Sequence, residues 1–227
     1  MNKSGIYIII PVYNEVAVIA QTLHQLVQTE YNIVVVDDGS VDGSGEVIRK
    51  FRVHYICHPV NLGQGAALQT GMDFARMKDA TAVVHFDADG QHRVSDIEQL
   101  LSPIINNDLD VVFGSRFLVK KGVSIPISKK IFLQLARYIN WMFSGIMLTD
   151  AHNGLRALNS HALHKIYFSE NRMAHASEIL LLVKEHKLTF TEVPVTIEYT
   201  EYSRRKGQSL WNAVNIIFDL LFKKINR

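Results

Sequence analysis

The sequence predicts one α/β domain in which a mostly parallel sheet is covered by helices on both faces. Three observations lead there. Short β-branched runs alternate with longer stretches of helical periodicity. No repeat, low-complexity segment or linker divides the first 200 residues. The unusual polar residues gather directly after the strands, where open parallel sheets bind their ligands. With 227 residues, 48% hydrophobic and 20% charged, the chain has ordinary globular composition and length for one large domain but not for a second.

Strands are expected at 6–10 (IYIII), 32–38 (NIVVVDD), 53–56 (VHYI), 82–86 (AVVHF), 110–114 (DVVFG) and 190–199 (FTEVPVTIEY). Between them, Ile19, Leu23, Leu26 and Val27 form one helical stripe, and Ala67, Leu68, Gly71, Met72 and Ala75 another. Ser95 and Glu98 have capping-box spacing, which predicts a helix start before IEQLLSPI. Residues 1–205 read as the domain and 206–227 as an amphipathic C-terminal helix, with Leu210, Val214, Ile217, Leu221 and Ile225 on one stripe.

A net charge of +2 and a pI near 8.6 give no reason to expect a nucleic-acid partner. Cys57 is the only cysteine, and the start MNKSGIYIII has neither a long apolar core nor a cleavage site, so a cytoplasmic location is expected. No run reaches the ~18–20 uninterrupted apolar residues that cross a bilayer; the most apolar segment, 131–148, is broken by Gln134, Arg137 and Asn140.

Four strand ends carry the chemistry. PVYNE (11–15) follows the first strand, DDGSVDGS (37–44) the second, NLGQGAA (61–67) the third and DADGQH (87–92) the fourth. Each alone is compatible with a turn or a helix cap, but a parallel sheet brings all four to one rim. Asp87 and Asp89 stand two positions apart on an extended chain, so both side chains can face one way. Two adjacent carboxylates repel unless a cation lies between them. A hard divalent ion, Mg²⁺ or Mn²⁺, meets that need, and magnesium is commonly held by one or two carboxylates plus substrate phosphates. The pair therefore points to a diphosphate-bearing substrate.

Taken together, IIIPVYNE, VVVDDGSVDGS, NLGQGAALQTGM, FDADGQH, VVFGSRF and TDAHNGLRAL resemble the family-2 inverting glycosyltransferases with the A-type, Rossmann-like nucleotide-sugar fold, above all the dolichyl- and polyprenyl-phosphate mannose and glucose synthases. The likeness covers roughly residues 5–205. It implies that Pro11, Tyr13, Glu15 and Asp37 or Asp38 hold the nucleoside, that Asp87, Asp89 and Gln91 organise the metal and diphosphate, and that Arg116 meets phosphate charge near the reacting centre. Relatives often carry an acidic residue and a proline after DADGQH; here Arg93 and Val94 follow, which touches only the lip of the next loop.

Displacing a nucleoside diphosphate from a sugar requires neutralising the charge that develops on the leaving group, and attack from the opposite face inverts the anomeric centre. A lipid phosphate acceptor is already anionic, whereas a sugar hydroxyl needs a base. Asp150 is the candidate for that base or for an acceptor-orienting group, with a turn or cap as the plain alternative. Glu178 is either a cap or an acceptor contact, His152 a metal neighbour or an ordinary hydrogen-bonding residue, and His161 and His164 belong on a solvated helix face. Between Asp110 and Asp150 there is no acidic residue, while Arg116, Lys120, Lys121, Lys129, Lys130 and Arg137 fall there, ahead of YINWMFSGIML. A basic stretch beside aromatic and apolar residues suits an anionic membrane surface, with a core helix and solvated loop as the blander reading. Arg116, Lys129, Lys130 and Arg204 are therefore the candidates for the acceptor phosphate. The basic C-terminal helix has the membrane, a second copy of the chain in a homo-oligomer, or its own domain as docking partner. Expected partners are a nucleotide-diphosphate sugar, a lipid-phosphate or lipid-linked acceptor, and the membrane surface. Transfer to a sugar hydroxyl in surface polysaccharide assembly, or a non-catalytic sugar-nucleotide-binding domain, are the competing readings.

Overall fold

The computed structural model describes residues 3–118, 138, 141–142, 144–151 and 153–198. Lys120, Lys121, Lys129, Lys130, Arg137, His152, Arg204 and the expected 206–227 helix lie outside the described residues. The chain forms strands β1 (Ile6–Val12), β2 (Asn32–Asp37), β3 (His54–Cys57), β4 (Ala82–His85), β5 (Val111–Ser115), β6 (Arg156–Asn159) and β7 (Phe190–Pro194). The helices are α1 (Ile19–Leu26), α2 (Ser44–Ile48), α3 (Gln64–Met77), α4 (Asp96–Asn107), α5 (Ser160–Lys165) and α6 (His175–Glu185). One seven-stranded sheet runs in the order β3-β2-β1-β4-β6-β5-β7.

Every pairing is parallel except those of β6, which lies antiparallel between β4 and β5. The carboxyl ends of the other six strands therefore share one rim, and β6 begins at it. Alternation along the strands divides the core in two. Tyr7, Ile9, Val34, Val36, Val83 and Leu158 pack with α3, α5 and α6 on one face. Ile6, Ile8, Ile10, Ile33, Val35 and Val84 pack with α1, α2 and α4 on the other. Strands buried on both faces read as continuous apolar runs, which is why IYIII and IVVV are so conspicuous.

Four local expectations are corrected. The strand expected at 190–199 ends at Pro194: beyond it the Thr196 amide is taken by the Asp96 carboxylate (2.7 Å) and the Glu198 amide by the Gln91 carbonyl (2.8 Å), so the chain folds over the 91–96 turn. Strand β6 was not expected, because RALN is short and lacks β-branched residues. Helix α4 starts where expected but without its capping box. Ser95 already has helical dihedrals (φ −60°, ψ −24°), and a side-chain cap requires an extended residue at that position. Val27 leaves the stripe of α1: it follows the last turn and is exposed, while Ile19, Leu23 and Leu26 are fully buried.

The second stripe is buried throughout, and its glycine has a packing reason. A Cβ on Gly71 would stand 2.3 Å from Cγ2 of Ile9, so α3 approaches β1 more closely than any other residue would permit. Gly71→Ala gains about 1 kcal/mol of helix propensity but overpacks a contact whose relief costs about 1–3 kcal/mol. A lowered urea midpoint is expected; a raised one would contradict the close packing.

Candidate active site

The rim is built loop by loop. After β1, the turn at 13–16 is stitched to the loop after β2. Asn14 and Glu15 amides donate to the hydroxyls of Ser40 (3.0 Å) and Ser44 (2.9 Å), the Val16 amide donates to Asp42 (3.0 Å), and the Val41 amide donates to Asn14 Oδ1 (2.9 Å). Pro11 is buried within β1, Glu15 is buried, and Tyr13 is exposed at the rim. Asp37 accepts the Ser40 amide (2.9 Å) and the Tyr55 hydroxyl (2.9 Å). Asp38 is more heavily engaged, receiving His58 Nδ1 (2.7 Å), Asn61 Nδ2 (3.0 Å) and the amides of Leu62 (2.9 Å) and Gly63 (2.7 Å). Both carboxylates that the sequence offered for the nucleoside fix the loops after β2 and β3.

The glycine-rich loop after β3 is shaped by the protein itself. A Cβ on Gly65 would lie 1.9 Å from the Glu170 carbonyl, and one on Gly63 2.3 Å from the Asn171 carbonyl. The Asn171 carbonyl accepts the Ala66 amide (3.0 Å) in the first turn of α3. Those glycines admit the 170–172 segment. The loop reaches the acidic pair through Gln64, whose Nε2 donates to Asp87 Oδ1 (3.0 Å).

Asp87 also takes His92 Nε2 on Oδ2 (3.0 Å) and rests against Gly154, where a Cβ would come within 2.1 Å of the same oxygen. Asp89 accepts the Gln91 amide (3.0 Å) and the Gln91 side-chain amide. The two carboxylates differ electrostatically. Burial pulls the Asp87 carboxyl upward, but the His92 bond and the charges of His92 and Arg156 outweigh it and hold it below the usual range. Burial, then the charge of Asp87, pushes the Asp89 carboxyl up. That is the behaviour of a like-charged pair short of a cation. The donor set fits one: two carboxylates and the Gln91 amide offer hard oxygen ligands. Among the described residues no group of three or more His, Cys, Asp or Glu surrounds a single point; one or two carboxylates are what magnesium takes from a protein where phosphates complete its shell.

Beneath Asp87 lies a charge that sequence reasoning missed. Arg156, the first residue of β6, is 2% exposed and stands opposite His85 of β4 in the register. Its Nη2 donates to the Asn153 carbonyl (3.1 Å), while Nε, Nη1 and both ring nitrogens of buried His85 have no partner among the described residues. Burial brings the Arg156 guanidinium down to about 10, leaving it charged near neutrality. Burial, with that charge added, lowers His85 well below the usual histidine range and His175 to about 4. Arg156 is thus the buried cation facing Asp87. Nothing in GLRAL distinguishes it from a solvated arginine.

At the end of β5 the structure joins two expected site residues. Arg116 donates from Nε (2.6 Å) and from its backbone amide (3.1 Å) to Asp150 Oδ2. Asp150 is 3% exposed, and its buried Oδ1 has no partner among the described residues. Glu178 braces a loop, accepting the amides of Ser169 (2.9 Å) and Glu170 (3.0 Å). His161 and His164 are exposed on α5, and His161 meets Asp110 (2.9 Å), which precedes β5 at the end of the sheet opposite the rim. A cleft of about 470 Å³, lined by Ile6, Thr81, Ile104, Asp108 and His161, opens at that far end and gathers no such chemistry.

Residues 7–167 match the family model described as glycosyl transferase family 2. The chain is 34% identical, over 98% of its length and 97% of the relative's, to a UDP-N-acetylglucosamine–dolichyl-phosphate N-acetylglucosaminyltransferase of Methanococcus voltae. It is 29% identical, over 92% of its length and 82% of the relative's, to a polyprenol monophosphomannose synthase of Mycolicibacterium smegmatis. Glucosyl-3-phosphoglycerate synthase of Mycobacterium tuberculosis, solved with Mn²⁺, UDP and phosphoglyceric acid, superposes with a TM-score of 0.68 at 16% identity, covering 97% of this chain and 78% of that one. A sheet with its acidic pair at the carboxyl rim, in the A-type glycosyltransferase architecture and with the family model spanning most of the domain, makes this chain a member of glycosyl transferase family 2, and so an enzyme of sugar transfer.

Proposed function

We propose that this enzyme transfers a sugar, with inversion, from a nucleotide-diphosphate sugar to a membrane polyprenyl or dolichyl phosphate, with a divalent metal. The observation that carries the reading is the convergence, on one rim, of the Asp87/Asp89 pair with Arg116. The lipid-phosphate acceptors in the names of two relatives support it, as does the Mn²⁺ and UDP bound by a protein of the same fold.

The chain's own groups take these roles. Tyr13, Glu15 and Asp37, on the stitched loops after β1 and β2, border the nucleoside, with Pro11 beneath them and Asp38 holding the 61–63 loop. Asp87 and Asp89, oriented by Gln64, His92 and Gln91, hold the metal, which when bound offsets negative charge on the leaving diphosphate. Arg116 adds a fixed positive charge beside the reacting centre, where pre-set electrostatics contribute most. A lipid phosphate brings its own anionic oxygen and attacks from the face away from the diphosphate, with little need of a base. One feature favours a second reading, transfer to a sugar hydroxyl. Oδ1 of Asp150, which has no partner among the described residues, would take a hydroxyl proton if the acceptor displaced the groups that bury it.

The membrane side rests on charge and exposure. Phe117 and Leu118 beside Arg116, with Tyr138, Trp141 and Met142, are exposed, and the interval 111–149 has no acidic residue. Among the described residues no helix is long and apolar enough to cross a membrane. Peripheral attachment on the cytoplasmic face suits these features, with Lys129, Lys130 and Arg204 meeting anionic phosphate.

Asp89→Ala should abolish transfer while the far-UV spectrum and unfolding midpoint stay near wild type, because it removes a metal ligand and relieves repulsion at Asp87. Metal-dependent turnover in that variant would contradict the assignment.

Sedimentation with vesicles should rise with anionic lipid content and fall from low to high salt, each basic residue near the surface contributing about 1 kcal/mol. Changing Lys120, Lys121, Lys129 and Lys130 together to Gln should weaken it and leave nucleotide binding intact. Indifference of the wild type to anionic vesicles at low salt would assign the basic segment elsewhere.

A further inference from the structure

The Arg116–Asp150 pair sits at the end of β5, yet the group that fixes it comes from β7. Glu192 lies opposite Phe113 in the parallel β5–β7 register, partly buried. Its Oε1 accepts the Thr149 amide (2.8 Å), the Thr149 hydroxyl (2.8 Å) and the Asp150 amide (3.2 Å), and its Oε2 also lies within reach of the Thr149 amide (2.9 Å). Two successive peptide amides and a hydroxyl therefore converge on one carboxylate.

The proton order follows. Thr149 has one hydroxyl hydrogen, and Glu192 can only accept it when ionised. The Ser115 hydroxyl must then donate to Thr149 Oγ1 (2.6 Å), and Ser115 Oγ accepts the Phe117 amide (3.3 Å). Both residues flanking Arg116 are drawn into the network. Fixing the Thr149 and Asp150 amides sets the backbone from which the Asp150 side chain projects, and Asp150 Oδ2 then receives Arg116 twice. No part of Glu192 need touch a substrate for this to matter, since a shift of about 1 Å at a reacting group can cost 10²-fold in rate.

We propose that Glu192 is a positioning residue for sugar transfer, acting through the Thr149 and Asp150 amides to hold the Asp150 carboxylate against Arg116 in the orientation the reaction needs. This rests on the placement of Arg116 and Asp150 at the reacting centre. Glutamine at 192 keeps side-chain size and one acceptor oxygen, but it puts an NH₂ where Oε2 now meets the Thr149 amide (2.9 Å) and removes the charge that strengthens the bonds from Thr149 and Asp150. The nucleoside loops, on β1, β2 and β3, are separated from β7 by β4, β6 and β5 in the sheet and should not respond.

A double-mutant cycle tests this on the full chain. Transfer from the sugar nucleotide found active in a panel of UDP- and GDP-sugars to polyprenyl phosphate is measured for wild type, Glu192→Gln, Asp150→Asn and the double variant. Calorimetric titration with UDP and GDP in the presence of Mn²⁺ runs beside it. Glu192→Gln should lower kcat/KM for the acceptor by roughly 10- to 100-fold, leave nucleotide affinity unchanged and cause no further loss in the Asp150→Asn background, because residues acting as one unit are not additive. Losses that multiply, or an unimpaired Glu192→Gln beside an impaired Asp150→Asn, would overturn the inference and spare the functional reading. An unimpaired Asp150→Asn would instead remove Asp150 from the reacting centre, and the inference with it. Thr149→Val, which deletes only the hydroxyl donor, keeps the cycle readable if Glu192→Gln folds poorly: a smaller loss, again absent beside Asp150→Asn, is expected, and a multiplying one would overturn the proposal.

Discussion

Two carboxylates at the mouth of a buried strand repel each other, and much of the rim is arranged around that constraint. Asp87 is kept anionic by two donors, Gln64 from the start of α3 and His92 from the following turn, and by the buried Arg156 charge from β6. Asp89, farther along the turn, bonds to Gln91 alone among the described residues, and burial and then the like charge of Asp87 push its carboxyl up. The remaining imbalance is what a divalent cation and a diphosphate would relieve together.

A second carboxylate-centred network faces it. Glu192 anchors the backbone of Thr149 and Asp150, and Asp150 orients Arg116. The two networks meet in the 150–156 segment, where Gly154 lets the backbone pass against Asp87 and the Asn153 carbonyl rests on Arg156. That juncture explains why β6, short and poor in β-branched residues, is inserted antiparallel into an otherwise parallel sheet. It delivers Arg156 beneath the acidic pair, and the segment leading into it delivers Asp150 beside Arg116.

The fold was legible where periodicity dominates. Strands β1, β2 and β4 are buried on both faces and show as apolar runs, and the Ala67–Ala75 stripe is buried whole. Failures came where a tertiary partner overrides a local signal: Asp96 captures the chain after Pro194, and Ser95 is helical before its side chain can cap. At the candidate site, Asp87, Asp89 and Arg116 stood out in the sequence because charged residues just after strands contradict the surrounding apolar pattern, and the structure brings Asp150 against Arg116. Arg156 and Glu192 did not stand out. Each acts through a partner fixed only by folding, as Glu192 does on Asp150 from 42 positions away, and nothing in their neighbours marks them.

The placement of a lipid phosphate opposite the diphosphate site is the centre of this account, and it is tested most directly by following label. Purified enzyme with Mg²⁺ or Mn²⁺ would be given radiolabelled UDP- and GDP-sugars, with either polyprenyl phosphate or a lipid-linked oligosaccharide as acceptor. Label moving to polyprenyl phosphate, in a product of inverted anomeric configuration, is the predicted result. Label entering only the oligosaccharide would contradict it and make Asp150 the base for a hydroxyl acceptor.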